Sequence, residues 1–199
     1  MRHNRTPLAG CSAGLDDGDA GSWSRPLSGR TELSESSSSR AEELRHQLIR
    51  NHQTVARERF VRAPRYDSLI GGVSEGTKAR KLGCGVDTVA PGQQSCPYHF
   101  HHTQEEMFIV LAGSGTLRVA GEMLPIQAGD VIFIPCGPDY PHHILNTSDA
   151  PLSYLSISTQ ERPEVCEYPD SGKIGVFANQ GRSFVQRLEN GLDYWEGEP

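Results

Sequence analysis

His99 and His101 stand two residues apart in the stretch Pro97-Tyr98-His99-Phe100-His101-His102-Thr103-Gln104-Glu105-Glu106. In an extended strand, residues so spaced share a face about 6.6 Å apart. Their imidazoles can then converge on one ion at about 2.1 Å each, a distance typical of nitrogen on a transition metal. A carboxylate, Glu105 or Glu106, comes just ahead of the apolar run Met107 to Leu111. A second histidine pair, His142-His143, opens a later β-rich segment, and strand alternation lets only one of the two join His99 and His101. His3, His46 and His52 lie away from these segments and read as ordinary surface or core imidazoles.

The elements that must carry these residues are short strands. Met107 to Leu111 is too short for a helix before Gly113 and reads as a strand apolar on both faces. Strands are also expected over Lys81 to Val89, Cys96 to His101, Gly115 to Val119, Glu122 to Ile126, Asp130 to Ile134, His142 to Leu145 and Leu152 to Ser158. Ala120-Gly121 between two of these reads as a tight hairpin turn. About eight strands with turn signals at intervals of roughly 8 to 12 residues imply an antiparallel all-β sandwich or barrel, with a jelly roll fitting best. Ahead of them, Ala41 to about Phe60 favours helix, with Leu44, Leu48 and Val55 as a modest apolar stripe able to cap the domain or pack on a barrel face. After Thr159 the rhythm fades, leaving one further strand, Ser183 to Leu188, before a polar tail with Tyr194 and Trp195. The organisation expected is a disordered arm over 1–40, a helical linker over 41–65, a barrel over 66–178, and a C-terminal strand and tail over 179–199.

Two linked patterns in this chain resemble those of the cupin superfamily, in its small single-domain form. The first runs Gly92, six residues, His99-Phe100-His101, four residues, Glu106, six residues, Gly113. The second runs Gly129, five residues, Pro135-Cys136-Gly137, four residues, His142, three residues, Asn146. Relative to the family there is one extra residue before the histidine pair and two before His142, and no ligand position is lost. The resemblance covers roughly Lys81 to Ser158 and implies a double-stranded β-helix barrel holding one divalent metal on His99, His101, Glu106 and His142. The spacing to Gly113 and the parity with Phe108 and Val110 favour Glu106 over Glu105.

Three imidazoles and a carboxylate suit iron(II) or manganese(II) first, with zinc, nickel or cobalt able to bind. In six-coordinate geometry two positions stay open for a small-molecule substrate, with or without dioxygen. The function expected is a dioxygenase-type oxidoreductase. The alternatives are a metal-dependent sugar or sugar-phosphate isomerase or epimerase, and a non-catalytic binding module. A phosphate would need Arg118 or Lys81 to point inward. Cys96 and Tyr98 beside His99 raise a thiol-dioxygenase reading, against which Glu106 counts. Phe108, Val110 and Phe133 are expected to shape the pocket, and Tyr98, Gln104, Asp139 and Tyr140 to contact substrate. No acid–base residue is identified at this level.

Composition limits the remaining classes. The formal charge is −6, and no basic face stands out beyond Arg57 to Arg65, so nucleic acid is not an expected partner. No apolar segment reaches the roughly 18 to 20 residues of a membrane span, and no signal-peptide core is seen at the N-terminus. Five scattered cysteines without a C-x-x-C pair suit reduced thiols and a cytoplasmic setting. Ile109 and Leu111, opposite Phe108 and Val110, call for a covering element or a second subunit, and the resemblance implies a homodimer.

Overall fold

The computed structural model describes residues 39–179 and 181–199. In chain order these form helix α1 (Arg40–Leu48) and strands β1 (Glu58–Arg62), β2 (Tyr66–Gly72), β3 (Leu82–Val89), β4 (Phe100–His101), β5 (Glu106–Ala112), β6 (Ser114–Val119) and β7 (Glu122–Gln127). They continue with β8 (Val131–Ile134), β9 (His142–Leu145), β10 (Leu152–Thr159), β11 (Glu164–Tyr168), β12 (Lys173–Phe177) and β13 (Ser183–Arg187). The strands pair antiparallel in three sheets, ordered β1-β2-β3-β10-β5-β8, β13-β12-β11-β4 and β7-β6-β9. This is the expected all-β double-stranded β-helix, or jelly roll.

Period-two burial explains which faces meet. Along β10, Leu152, Tyr154, Ser156 and Ser158 are buried, and along β5, Glu106, Phe108 and Val110 are buried, with the intervening residues only partly covered. The apolar members join Val89, Leu117, Ile126, Ile134 and Ile144 in one core cluster. At the mouth end of that core the same inward positions turn polar, with Glu106 on β5, Ser156 and Ser158 on β10, and Asp87 on β3. A smaller cluster of Cys166, Tyr168 and Phe177 backs β11 and β12.

Two turns hold the frame. Ala120 and Gly121 both have positive φ, 50° and 84°, as a two-residue hairpin between β6 and β7 requires. Gly113 has φ 82°, and a Cβ there would lie 2.4 Å from the Pro151 carbonyl oxygen, so the β5–β6 corner admits only glycine.

The structure corrects three expectations. The helix is shorter than 41–60. It is capped by a reciprocal Ser39–Glu42 box, ends at Leu48, and buries no residue, so Leu44 and Leu48 are exposed instead of packing on the barrel. Phe60 belongs to β1, whose pairing with β2 supplies the hydrogen bonds that a longer helix would have made internally. Beyond Thr159 two further strands, β11 and β12, extend the sheet that carries β4. The expected arm over 1–40 lies, apart from Ser39 and Arg40, outside the described residues.

Candidate metal centre

The three sheets each contribute to one point inside the barrel. His101 sits on β4, with His99 just before it bridging to His142, the first residue of β9; Glu106 is the first residue of β5. All four side chains are buried. Glu106 Oε2 lies 2.7 Å from His142 Nε2, 3.2 Å from His101 Nε2 and 3.9 Å from His99 Nε2. The two nearest histidine nitrogens, Nε2 of His99 and of His101, are 3.1 Å apart.

The outer nitrogens decide what the inner ones can do. His99 Nδ1 is 2.9 Å from the Pro97 carbonyl, and His142 Nδ1 is 3.1 Å from the Tyr140 carbonyl. Carbonyls only accept, so both Nδ1 atoms carry the proton, and both Nε2 atoms present lone pairs inward. His101 Nδ1 faces the Glu164 carboxylate at 3.3 Å, which assigns the same tautomer. Three lone pairs and a carboxylate oxygen therefore crowd together with no donor among them, and Glu106 Oε1 is buried without a partner. A cation satisfies that arrangement, and the donor set fits a divalent transition metal. Burial, followed by the neighbouring His142 and His101, lowers the His99 pKa to about 3 and keeps it neutral as a ligand must be.

Glu164, on β11, has no exposed surface and was not foreseen in the sequence. It accepts from the backbone N–H of His102 at 3.0 Å and of Gln104 at 3.1 Å, and from the Thr103 hydroxyl. These donors pin the carboxylate behind His101, with Cys166 Sγ also 3.2 Å from His101 Nδ1. Ligand atoms of His99, Glu106 and His142 thus form one cluster and those of His101, Glu164 and Cys166 a second, with His101 Nε2 3.2 Å from Glu106 Oε2 of the first. Inward parity with Cys166 and Tyr168 was the only sequence signal for Glu164.

The centre adjoins a narrow cleft walled by Asp87, Ser95, Cys96, Phe108, Tyr154 and Ser156. Among the described residues no lysine or arginine lines it. Arg118 is held outside by Asp170 at 2.6 and 3.0 Å and lies over the Tyr98 ring, and Lys81 is exposed. Of the residues expected to meet substrate, Phe108 lines the cavity. Tyr98 is buried elsewhere, its hydroxyl accepting from Gly121 N. The Gln104 side chain donates to the Glu161 carbonyl, and Asp139 and Tyr140 lie on the exposed loop, where the Tyr140 carbonyl orients His142. Phe133 is 71% exposed, because Ile132 and Ile134 take the inward parity of β8 and Phe133 the outward one. Glu105 is exposed, and His102 pairs with Glu167 on the surface. His143 turns from His142 to face the Cys96 carbonyl.

Residues 85–158 match the cupin domain family. Over 73 residues, 37% of this chain, it is 33% identical to an uncharacterized protein of Methanocaldococcus jannaschii. Over 67 residues, 34% of this chain, it is 34% identical to an oxalate-binding protein of Thermotoga maritima. These matches span 57% and 54% of the two relatives, less than two thirds of their lengths. Among solved structures, a putative sugar phosphate isomerase from Acidithiobacillus ferrooxidans superposes with a TM-score of 0.66 at 26% identity, covering 74% of this chain and 96% of that one. With both motifs on strands of one barrel and their histidines and glutamate facing one point, this chain carries a small domain of the cupin superfamily.

Proposed function

We propose that this protein is a metal-dependent enzyme that isomerises a small hydroxy-carbonyl compound of the sugar class. The observation that carries the reading is the convergence of three imidazole lone pairs and the Glu106 carboxylate beside a polar-walled cavity. Iron(II) or manganese(II) is the ion we assign to this donor set. Held by His99, His101, Glu106 and His142, it supplies Lewis acidity toward a carbonyl and an adjacent hydroxyl oxygen. Phe108 and Ile144 exclude water from one wall, and the Ser95, Tyr154 and Ser156 hydroxyls offer hydrogen bonds to substrate hydroxyls. The likeness to the Acidithiobacillus protein supports the reaction class over oxygen-dependent oxidation. A lining without lysine or arginine among the described residues suits a neutral sugar better than its phosphate ester. Cytoplasmic location and assembly as a homodimer complete the proposal, the latter supported by exposed Val131 and Phe133 on the edge strand β8.

The test is metal analysis of anaerobically purified protein, followed by incubation with dihydroxyacetone, D-fructose and D-xylose in heavy water. Expected is about one ion per chain and metal-dependent incorporation of deuterium beside the carbonyl, read by NMR. Substrate-dependent oxygen uptake without deuterium incorporation would replace this reading with a dioxygenase.

A further inference from the structure

Asp87 is the one charged residue of strand β3, Leu82–Val89. It stands on the inward face of β3 with Val89, opposite Tyr154 on β10, and is only 4% exposed. Its Oδ1 has no hydrogen-bond partner, although a buried carboxylate normally collects several. The groove it faces is the cavity that holds His99, Glu106 and His142. A polar group left unpaired in the protein costs on the order of 1–3 kcal/mol, so its retention needs a reason, and a substrate in the cavity gives one.

We propose that Asp87 is the proton-transferring residue of this site, moving a carbon-bound proton between adjacent carbons of the substrate. The inference rests on the isomerase reading above. In the step, Asp87 Oδ1 takes the proton from the hydroxyl-bearing carbon; the C–H electron pair forms the carbon–carbon double bond, and the carbonyl pair moves onto its oxygen. The hydroxyl proton passes to that oxygen, Asp87 returns its proton to the former carbonyl carbon, and a carbonyl forms at the neighbouring position. Atoms and electrons balance within substrate and Asp87, so no oxidant or reductant is required. The surroundings suit the task. Burial first, then the Glu106 charge, raise Asp87 from 3.8 to about 7, with Arg57 opposing them. Besides His99, Glu106 and His142, the titratable groups lining the cavity with it are Tyr154, Cys96 and His143, and the thiol–His99 Nδ1 separation is 3.8 Å. A carboxylate held in a buried wall is a stronger base than a solvated one, which suits it to take up a carbon-bound proton.

The experiment compares wild type, Asp87→Asn and Asp87→Glu, each loaded with manganese(II) and checked for metal content. Deuterium wash-in to dihydroxyacetone and D-fructose is followed by NMR, and protonated-carboxyl absorption by infrared spectroscopy across neutral pH without substrate. Expected is a loss of exchange in Asp87→Asn of roughly 10²- to 10⁴-fold, the usual weight of one acid–base group, with metal content and KM little changed. Asp87→Glu should recover part of the rate, and the carboxyl band that titrates in wild type should be missing in Asp87→Asn. Exchange in Asp87→Asn within a few-fold of wild type overturns the assignment and leaves the isomerase reading standing. Wild type that exchanges nothing brings down the isomerase reading, and the assignment with it.

Discussion

The candidate metal centre depends on a carboxylate that stands behind His101. Glu164 holds the His101 tautomer and is itself held by two backbone N–H groups and Thr103. Glu164→Gln keeps the shape but presents an amide to His101 Nδ1, so the imidazole loses both its fixed orientation and part of its basicity. Affinity for manganese(II) or zinc(II) should fall about 10- to 100-fold, measured by calorimetry or competition with a chelator; unchanged affinity would show that Glu164 only buttresses the 102–104 backbone. Asp87 makes a separate prediction in chelator-treated protein. Its folded-state pKa is raised from 3.8 to about 7, so between those values the native state keeps a proton that the unfolded chain has released. Stability from this group is therefore full below about pH 4 and declines as pH rises through about 7. Asp87→Asn should flatten that part of the urea-denaturation profile, and an identical slope in the two proteins would contradict the burial assigned to this carboxyl.

At the scale of the elements, the corner after β5 is the most demanding joint. Gly113 combines positive φ with a backbone oxygen where a Cβ would sit, so Gly113→Ala is expected to cost at least the roughly 1–3 kcal/mol of a strained backbone conformation. Urea denaturation measures it, and a loss below half a kcal/mol would mean the corner relaxes freely. That glycine was legible in the chain because glycine punctuation and inward alternation are local signals, and so were His99, His101, Glu106 and His142. The parts that were not legible are tertiary. Glu164 reaches His101 across a pairing of β11 with β4, some sixty residues apart, and no spacing rule predicts that partner. Asp87 was not singled out in the sequence, because only the packing of β3 against β10 aims it at the cavity. Phe133 was misjudged because an apolar run shows no parity of its own, and β8 is an edge strand with one open face. The helix was overextended since propensity alone ignores the pairing of β1 with β2.

For the molecule as a whole, the ligand set is a clasp between sheets. His101 comes from the four-stranded sheet, Glu106 from the six-stranded one and His142 from the three-stranded one. Without a cation their inward lone pairs repel at 2.7 to 3.2 Å, and burial prevents water from screening them well. An ion that binds only the folded arrangement stabilises it by RT ln(1 + [L]/Kd), about 4 kcal/mol when free metal is a thousand times Kd. Chelation should therefore lower the thermal midpoint by several degrees, and re-addition of manganese(II) should restore it in proportion to the logarithm of its concentration. His142→Ala should abolish that response by freeing β9 from the clasp. A midpoint indifferent to chelator and metal in wild type would mean the three sheets are held by the apolar core alone, and that the convergence of His99, His101, Glu106 and His142 does not bind an ion.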